Sequence, residues 1–415
     1  MEQLKRAAMR MASLSVYRGV LEQAVPKAFC RLLWAAGRSE RDFVSAWGSF
    51  FSMLSARNGT ESFSRCIREA VQSDENAFSL ACAAGEKLPP SAMDAVLRDL
   101  SVLQEIARMT PEQVLAGSGF AEDADQILLP RWKTGGGDDS AAGDASACAE
   151  RFARYYRQNG CGPYARYRAF IWRGGRLRPV AHPDRTTLAD LKGYELQRRT
   201  AIENTLAFLD GLPANNCLFY GDRGTGKSST VKALLNEYYL RGLRMIEIPK
   251  KSLADFPLLV DRIAGSPMKF IVFIDDLSFT GEDDTYASLK AVLEGGLAVR
   301  PENTLIYATS NRRHLIRENF SDRAGDEIHR NDSIQETLSL ADRFGLSIRY
   351  SLPGKDEFLA IVHALAAQRG LRVDADALES GAERWAIARG GRSPRCAKQY
   401  IRSVEARMRA GTTEG

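Results

Sequence analysis

The sequence predicts a mainly helical N-terminal domain followed by an α/β core built on a parallel sheet, and three features carry that reading. Apolar residues recur at helical spacing up to about residue 133, a glycine-rich stretch then breaks the pattern, and from Asn215 onward short apolar runs alternate with helical stretches. The chain has 415 residues, 44% of them hydrophobic and 26% charged, which is enough apolar material for two or three packed domains and excludes wholesale disorder. No stretch approaches the roughly 18 uninterrupted apolar residues that span a bilayer. The opening MEQLKRAAMRMASLSVYRGV lacks the apolar centre of a secretory signal, so the expectation is a cytoplasmic chain with no membrane partner.

The 57 Lys plus Arg against 52 Asp plus Glu leave a formal charge of +5, far from the basicity of a dedicated nucleic-acid binder. Seven cysteines are scattered without a CxxC pair, and the four histidines (His182, His314, His329, His363) are equally dispersed. This usage predicts reduced thiols and argues against a disulfide framework or a zinc cluster.

In residues 1–133, Ala28-Phe29-Leu32-Leu33, Phe50-Phe51-Leu54 and Val96-Leu97-Leu100-Leu103-Ile106 mark helix faces that pack on one another, and Pro89-Pro90 and Thr110-Pro111 mark breaks between helices. Residues 134–149 open with the run from Thr134 through Gly135-Gly136-Gly137 to Asp144, which holds too little apolar surface to order itself and is read as a flexible linker. Residues 150–185 form the one strongly basic, aromatic tract. Arg151, Arg154, Arg157, Arg166, Arg168, Arg173, Arg176 and Arg178 interleave with Phe152, Tyr155, Tyr156, Tyr164, Tyr167, Phe170 and Trp172. Such arginines can neutralise phosphates while aromatic faces stack on bases, which makes nucleic acid one reading of Arg151 to Arg178. In the other, Tyr167 to Trp172 and Arg176 to Val180 are two strands joined by Arg173-Gly174-Gly175, with the arginines on a solvated face.

The candidate chemistry lies in residues 186–352. Cys217-Leu218-Phe219-Tyr220 reads as a buried strand, Gly221-Asp222-Arg223-Gly224-Thr225-Gly226-Lys227-Ser228 as the turn after it, and the stretch from Ser229 to Tyr239 as a helix. This is GxxxxGK[ST] in its expected context, where glycines let successive N–H groups face phosphate oxygens and the following helix adds its positive end. Lys227 is placed to bridge the β- and γ-phosphates of ATP, and the Ser228 hydroxyl to ligate Mg2+. Phe270-Ile271-Val272-Phe273-Ile274 suits a central parallel strand and ends in Asp275-Asp276, at the carboxyl edge where ligands bind. Asp275 is the expected holder of the hydrated cation, and Asp276 the expected general base. Leu243-Arg244-Met245-Ile246-Glu247-Ile248 is a further strand. Leu305-Ile306-Tyr307-Ala308-Thr309-Ser310 supplies a strand expected to lie between the two motif strands, and it ends in Asn311, an amide able to orient water, although Asn also serves as a turn former.

With Asp342-Arg343-Phe344, these motifs make the second half of the chain resemble an AAA+ ATPase. More closely, Leu191-Lys192-Gly193-Tyr194-Glu195, Gly221 to Ser229, Asp275-Asp276-Leu277-Ser278-Phe279 and Tyr307 to Leu315 look like the bacterial ATP-binding family catalogued as domain of unknown function 815. The resemblance implies a sheet of order 5-1-4-3-2 in a core at 186–352 and a small helical lid at 353–410. It implies that Gly193 and Tyr194 pack on adenine, and that the phosphate loop comprises Gly221, Asp222, Arg223, Gly224, Thr225, Gly226, Lys227, Ser228 and Ser229. Asn311 matches sensor 1 and Arg343 the arginine finger that reaches a neighbouring subunit. Arg395 matches sensor 2, with Arg392 as its rival in Gly391-Arg392-Ser393-Pro394-Arg395. Asp276 stands where many such ATPases have a longer glutamate, and Lys251-Ser252-Leu253-Ala254-Asp255-Phe256-Pro257 stands where unfoldases carry an aromatic pore loop. The expectation is therefore an ATP- and Mg2+-dependent ATPase that works as a homo-oligomer to remodel or load an unidentified protein client. The alternative is a slow ATP-dependent switch or nucleic-acid-associated loader.

Overall fold

The computed structural model describes residues 2–56, 62–120, 128–134, 143–278, 284–294, 301–311 and 343–410. Residues 135–142 of the linker, Phe279, the run from Arg312 to Leu315, His329 and Asp342 lie outside the described residues. The chain divides into two compact units, Met1–Arg166 with Ser266–Met268, and Tyr167–Gly265 with Lys269–Gly415. Among the described residues no helix is long and apolar enough to cross a membrane.

The first unit is helical: α1 (Glu2–Ala12), α2 (Ala24–Ala35), α3 (Glu40–Ser55), α4 (Phe63–Gln72), α5 (Ala77–Ala84), α6 (Pro90–Ala107), α7 (Pro111–Ser118), α8 (Ala145–Asn159) and the single turn α9 (Gly162–Arg166). Local chemistry sets these boundaries. Ser39 caps α3 by accepting the Asp42 N–H at 3.1 Å, and Asn76 and Ser79 form a reciprocal capping box at the start of α5. Gly85, at φ +75°, ends α5 in the left-handed conformation that glycine adopts without steric cost. Pro90 and Pro111 open α6 and α7, where the missing N–H has no helical partner to lose. Phe29, Trp47, Phe50, Phe63 and Trp132 meet at the centre, with the Trp47 and Trp132 rings 4.7 Å apart. The Asp99 carboxylate is fully buried and spent on backbone: one of its oxygens accepts the N–H groups of Ser15 (2.8 Å), Val16 (2.8 Å) and Tyr17 (3.1 Å).

The second unit is built on a seven-stranded sheet. Its strands are β1 (Ala169–Trp172), β2 (Leu177–Pro179), β3 (Cys217–Gly221), β4 (Leu243–Glu247), β5 (Lys269–Ile274), β6 (Thr304–Ser310) and β7 (Leu346–Tyr350), in the order β2-β1-β4-β5-β6-β3-β7. All neighbours run parallel except β1 and β2. The strand β6 lies between β3 and β5, with Thr309 opposite Phe219 and Ala308 opposite Ile274, so the carboxyl ends of these three strands are adjacent. Helices α10 (Glu195–Leu209), α11 (Lys227–Tyr238), α12 (Phe256–Ile263) and α13 (Asp284–Glu294) accompany the sheet. The run read in place of a pore loop spans a 3-10 helix, Lys250–Asp255, with Leu253 buried, and the first two residues of α12. Helices α14 (Lys355–Gln368), α15 (Ala375–Ala388) and α16 (Pro394–Arg409) pack on one another around Phe358, Val362, Ala382, Ala397 and Ile401.

Two expectations change. The basic tract is not a separate segment of the chain. Its helix α8 belongs to the first unit, whereas the hairpin β1–β2 extends the core sheet, with Phe170 opposite Ile246 of β4. Four of the seven aromatic residues in the tract, Phe152, Tyr156, Phe170 and Trp172, are buried in the two cores and cannot offer faces to bases. The Trp172 indole also donates to Asp255 at 3.0 Å. The end of the linker shifts as well: Asp144 caps α8 by accepting the Ala147 N–H at 2.9 Å, so helix begins at Ala145.

Candidate functional site

The turn from β3 into α11 is shaped by what touches it. Gly221 has φ +124°, and a Cβ there would overlap the backbone carbonyl of Tyr350, so the position admits only glycine. The next residue clamps the same segment twice. The Asp222 N–H donates to the Tyr350 carbonyl at 2.8 Å, and the Asp222 carboxylate accepts the Leu352 N–H at 2.8 Å. The Thr225 hydroxyl closes the loop on the Asp222 carbonyl at 2.8 Å. Gly224 (φ +79°) and Gly226 (φ +98°) complete the curl, and α11 starts at Lys227 with its first N–H groups facing the loop. Arg223 is exposed, and Ser229 is half-buried in the first turn of α11.

Lys227 is 6% exposed. Its ammonium donates to the carbonyls of Gly221 (2.9 Å) and Asp222 (2.6 Å) and to Asn311 Oδ1 (3.2 Å). Burial pulls the Lys227 pKa below its ordinary value; Asp222, Asp276 and Asp275 oppose that shift, and Arg395 adds to it.

Asp275 and Asp276 leave the end of β5 exposed to solvent. Asp275 Oδ1 accepts two hydroxyl groups, from Ser228 of α11 and Thr309 of β6, each at 2.6 Å. The Thr309 oxygen accepts the Asp276 N–H at 2.9 Å, and Asn311 Nδ2 donates to Asp276 Oδ1 at 2.6 Å. Asp276 has φ +52°, a left-handed conformation that costs an L-residue roughly 1 kcal/mol and persists where neighbours fix it. Lys227, Asn311, Asp276, Thr309, Asp275 and Ser228 thus form one hydrogen-bonded chain drawn from three strand ends.

The donor set suits a hard cation. Ser228 and Asp275 present only oxygen, and among the described residues no cluster of three or more His, Cys, Asp or Glu forms a cage. An oxygen-only pair of this kind could hold a Mg2+ that keeps several of its waters.

Gly193 (φ +74°) leaves 2.9 Å between an added Cβ and Ile361 of α14. The Tyr194 ring stacks on Tyr350 at 5.0 Å, and its hydroxyl donates to the Ser351 carbonyl at 2.6 Å. Burial raises the pKa of the Tyr194 phenol and pushes that of Tyr350 up to about 12. The two arginine rivals separate. Arg392 grips Glu383 of α15 through Nε at 2.9 Å and Nη2 at 2.6 Å. Arg395 is exposed on the first turn of α16, and its backbone N–H donates to the Gly224 carbonyl at 3.1 Å. Arg343 is not brought to this cluster. It precedes β7 at the opposite end of that strand from Tyr350, beside Gly345, where an added Cβ would meet Asn215 Oδ1 at 2.8 Å.

Sequence reasoning did not single out Thr309, Tyr350 or Ser393, which packs on Gly224. The one advance signal was a hydroxyl residue in an apolar strand two positions before Asn311.

No curated protein matches the sequence significantly. Among solved structures, the Thermotoga maritima RuvB Holliday junction branch migration motor is 14% identical, over 55% of this chain and 67% of that chain, with a TM-score of 0.38. A point mutant of the same Thermotoga maritima protein is 16% identical over 55% of this chain and 68% of that chain, with a TM-score of 0.36. These likenesses are too loose to bear on function. The family model described as "Protein of unknown function (DUF815)" matches residues 165–408, more than half of the 415-residue chain, and the chain belongs to that family.

Proposed function

We propose that the second unit is an AAA+ ATPase core that binds ATP with Mg2+ and hydrolyses it. The observation that carries this reading is the hydrogen-bonded chain from Lys227 to Ser228, in which a buried ammonium, two carboxylates and an amide meet at the carboxyl ends of β3, β5 and β6. The strand order β4-β5-β6-β3-β7 supports it. In this reading the N–H groups of Gly221 to Ser229 and the Lys227 ammonium bind the phosphates. Ser228 and Asp275 hold Mg2+, which when bound neutralises phosphate charge. Asp276 accepts the proton of the attacking water, and Asn311 orients that water.

Gly193 and Tyr194 line the base, and Arg395, whose charge is felt at Lys227, serves as sensor 2. Arg343 lies at the far end of β7 from its own phosphate loop, so its role as a finger requires a neighbouring copy and makes the active form a homo-oligomer. The helical first unit would recognise a protein client. A second reading, a slow ATP-dependent switch or loader, is favoured by Asp276. Its carboxylate is one methylene shorter than glutamate and is already engaged by Asn311 at 2.6 Å.

Titrating a fluorescent ATP analogue and measuring turnover across protein concentrations tests this, for the wild type and for Lys227→Ala. The wild type should bind ATP and turn over faster per subunit as concentration rises, while Lys227→Ala loses about 10²- to 10³-fold in turnover. Unchanged binding and turnover in Lys227→Ala would overturn the assignment. Binding with negligible turnover at every concentration would select the switch.

A further inference from the structure

We propose that Thr309 is a positioning residue that holds both carboxylates after β5, so that Mg2+-dependent nucleotide binding requires its hydroxyl. This inference rests on the ATP–Mg2+ reading of the site. Thr309 is 2% exposed in the central strand β6. A hydroxyl has one proton and two lone pairs. Here the proton goes to Asp275 Oδ1 at 2.6 Å, and a lone pair takes the Asp276 N–H at 2.9 Å. The Thr309 carbonyl accepts the Leu277 N–H at 2.7 Å, so three consecutive residues beyond β5 are tied to this one position.

The arrangement answers a specific need. Asp276 sits at φ +52°, which its own backbone does not favour, and Thr309 fixes its N–H while Asn311 fixes its carboxylate. Both hydroxyl donors to Asp275 fall on Oδ1, and Ser228 is itself the other proposed metal ligand. Thr309 is therefore the donor that orients Asp275 without being a ligand, the part played by outer partners in metal sites, whose removal weakens metal affinity by about 10- to 100-fold.

The test compares wild type, Thr309→Val, Thr309→Ala and Thr309→Ser by binding of a fluorescent ATP analogue, in Mg2+ and in EDTA. Valine keeps the shape and removes the hydroxyl. The expected result is affinity in Mg2+ lowered about tenfold or more in Thr309→Val, unchanged affinity in EDTA, and recovery in Thr309→Ser to within about twofold of wild type. Should the valine variant not fold, Thr309→Ala makes the same comparison. Equal losses in Mg2+ and EDTA, or none in either, would overturn the positioning role while leaving the ATP reading standing. A wild type that bound no nucleotide would overturn both.

Discussion

Asp99 and Asp276 are both carboxylates held by hydrogen bonds, in the first and second units respectively, yet they are held in opposite ways. Asp99 is fully buried and accepts three backbone N–H groups between Ser15 and Tyr17. Asp276 is exposed, sits in a left-handed conformation, and has its carboxylate fixed by a side-chain amide from another strand. A carboxylate spent on backbone donors closes a structure. A carboxylate exposed at a strand end and aimed by a neighbouring side chain keeps its remaining lone pairs for chemistry. The difference teaches that hydrogen-bond count alone does not single out an acid for catalysis; solvent access and free lone pairs are what make Asp276 the candidate.

Exchanging the acids for uncharged residues breaks or sharpens this contrast. Asp276→Asn keeps size and shape but cannot accept a proton, so turnover is expected to fall by about 10²- to 10⁴-fold with ATP binding and Tm essentially unchanged, as read by steady-state rates and thermal unfolding. Asp99→Ala is expected to do the reverse. It strands three N–H groups and costs about 3 kcal/mol, seen as a Tm lower by about 5–10 °C in a unit of this size, while ATP affinity holds. A variant of Asp99 that lost ATP binding at a temperature where both units are folded would undo the contrast.

The smallest effect is in pH. Burial keeps the folded-state pKa of Lys227 below its ordinary 10.5. The charged form therefore carries a folding cost that is fully present below the folded pKa and disappears as pH rises towards 10.5. Phosphate binding needs the same proton. ATP affinity should thus decline as pH rises towards 10.5, before free lysines titrate, while Tm does not fall from this group; titration calorimetry on the alkaline side measures it.

What was legible in the sequence was whatever is contiguous in it. Gly221 to Ser228 and Asp275-Asp276 announce themselves because each motif is a short run at the end of an apolar strand. The place of β6 between β3 and β5 is expected from the sequence, but that Thr309 meets the residues after β5, and that Tyr350 and Leu352 meet Asp222 after β3, follows from register and side-chain contacts that no local pattern encodes. The aromatic tract left two readings open, and the hairpin reading is the one the strands follow. Phe170 and Trp172, two apart, are the buried face of an ordinary strand, and their period of two looks the same as a stacking platform until β1 is paired with β4. Of Arg395 and its rival Arg392, the latter pairs with Glu383, a contact across α15 that spacing alone does not reveal.

The hairpin β1–β2 has a consequence for how copies of this chain can meet. Beyond β4 the sheet ends in a strand of three residues, Leu177–Pro179. Pro179 has no N–H to offer, and Arg176 and Arg178 are exposed along that border. Short length, proline and repeated positive charge are the devices by which natural sheets refuse an incoming strand. Arg176, Arg178 and Pro179 thus disfavour the addition of a further strand along this margin, whatever else these arginines meet.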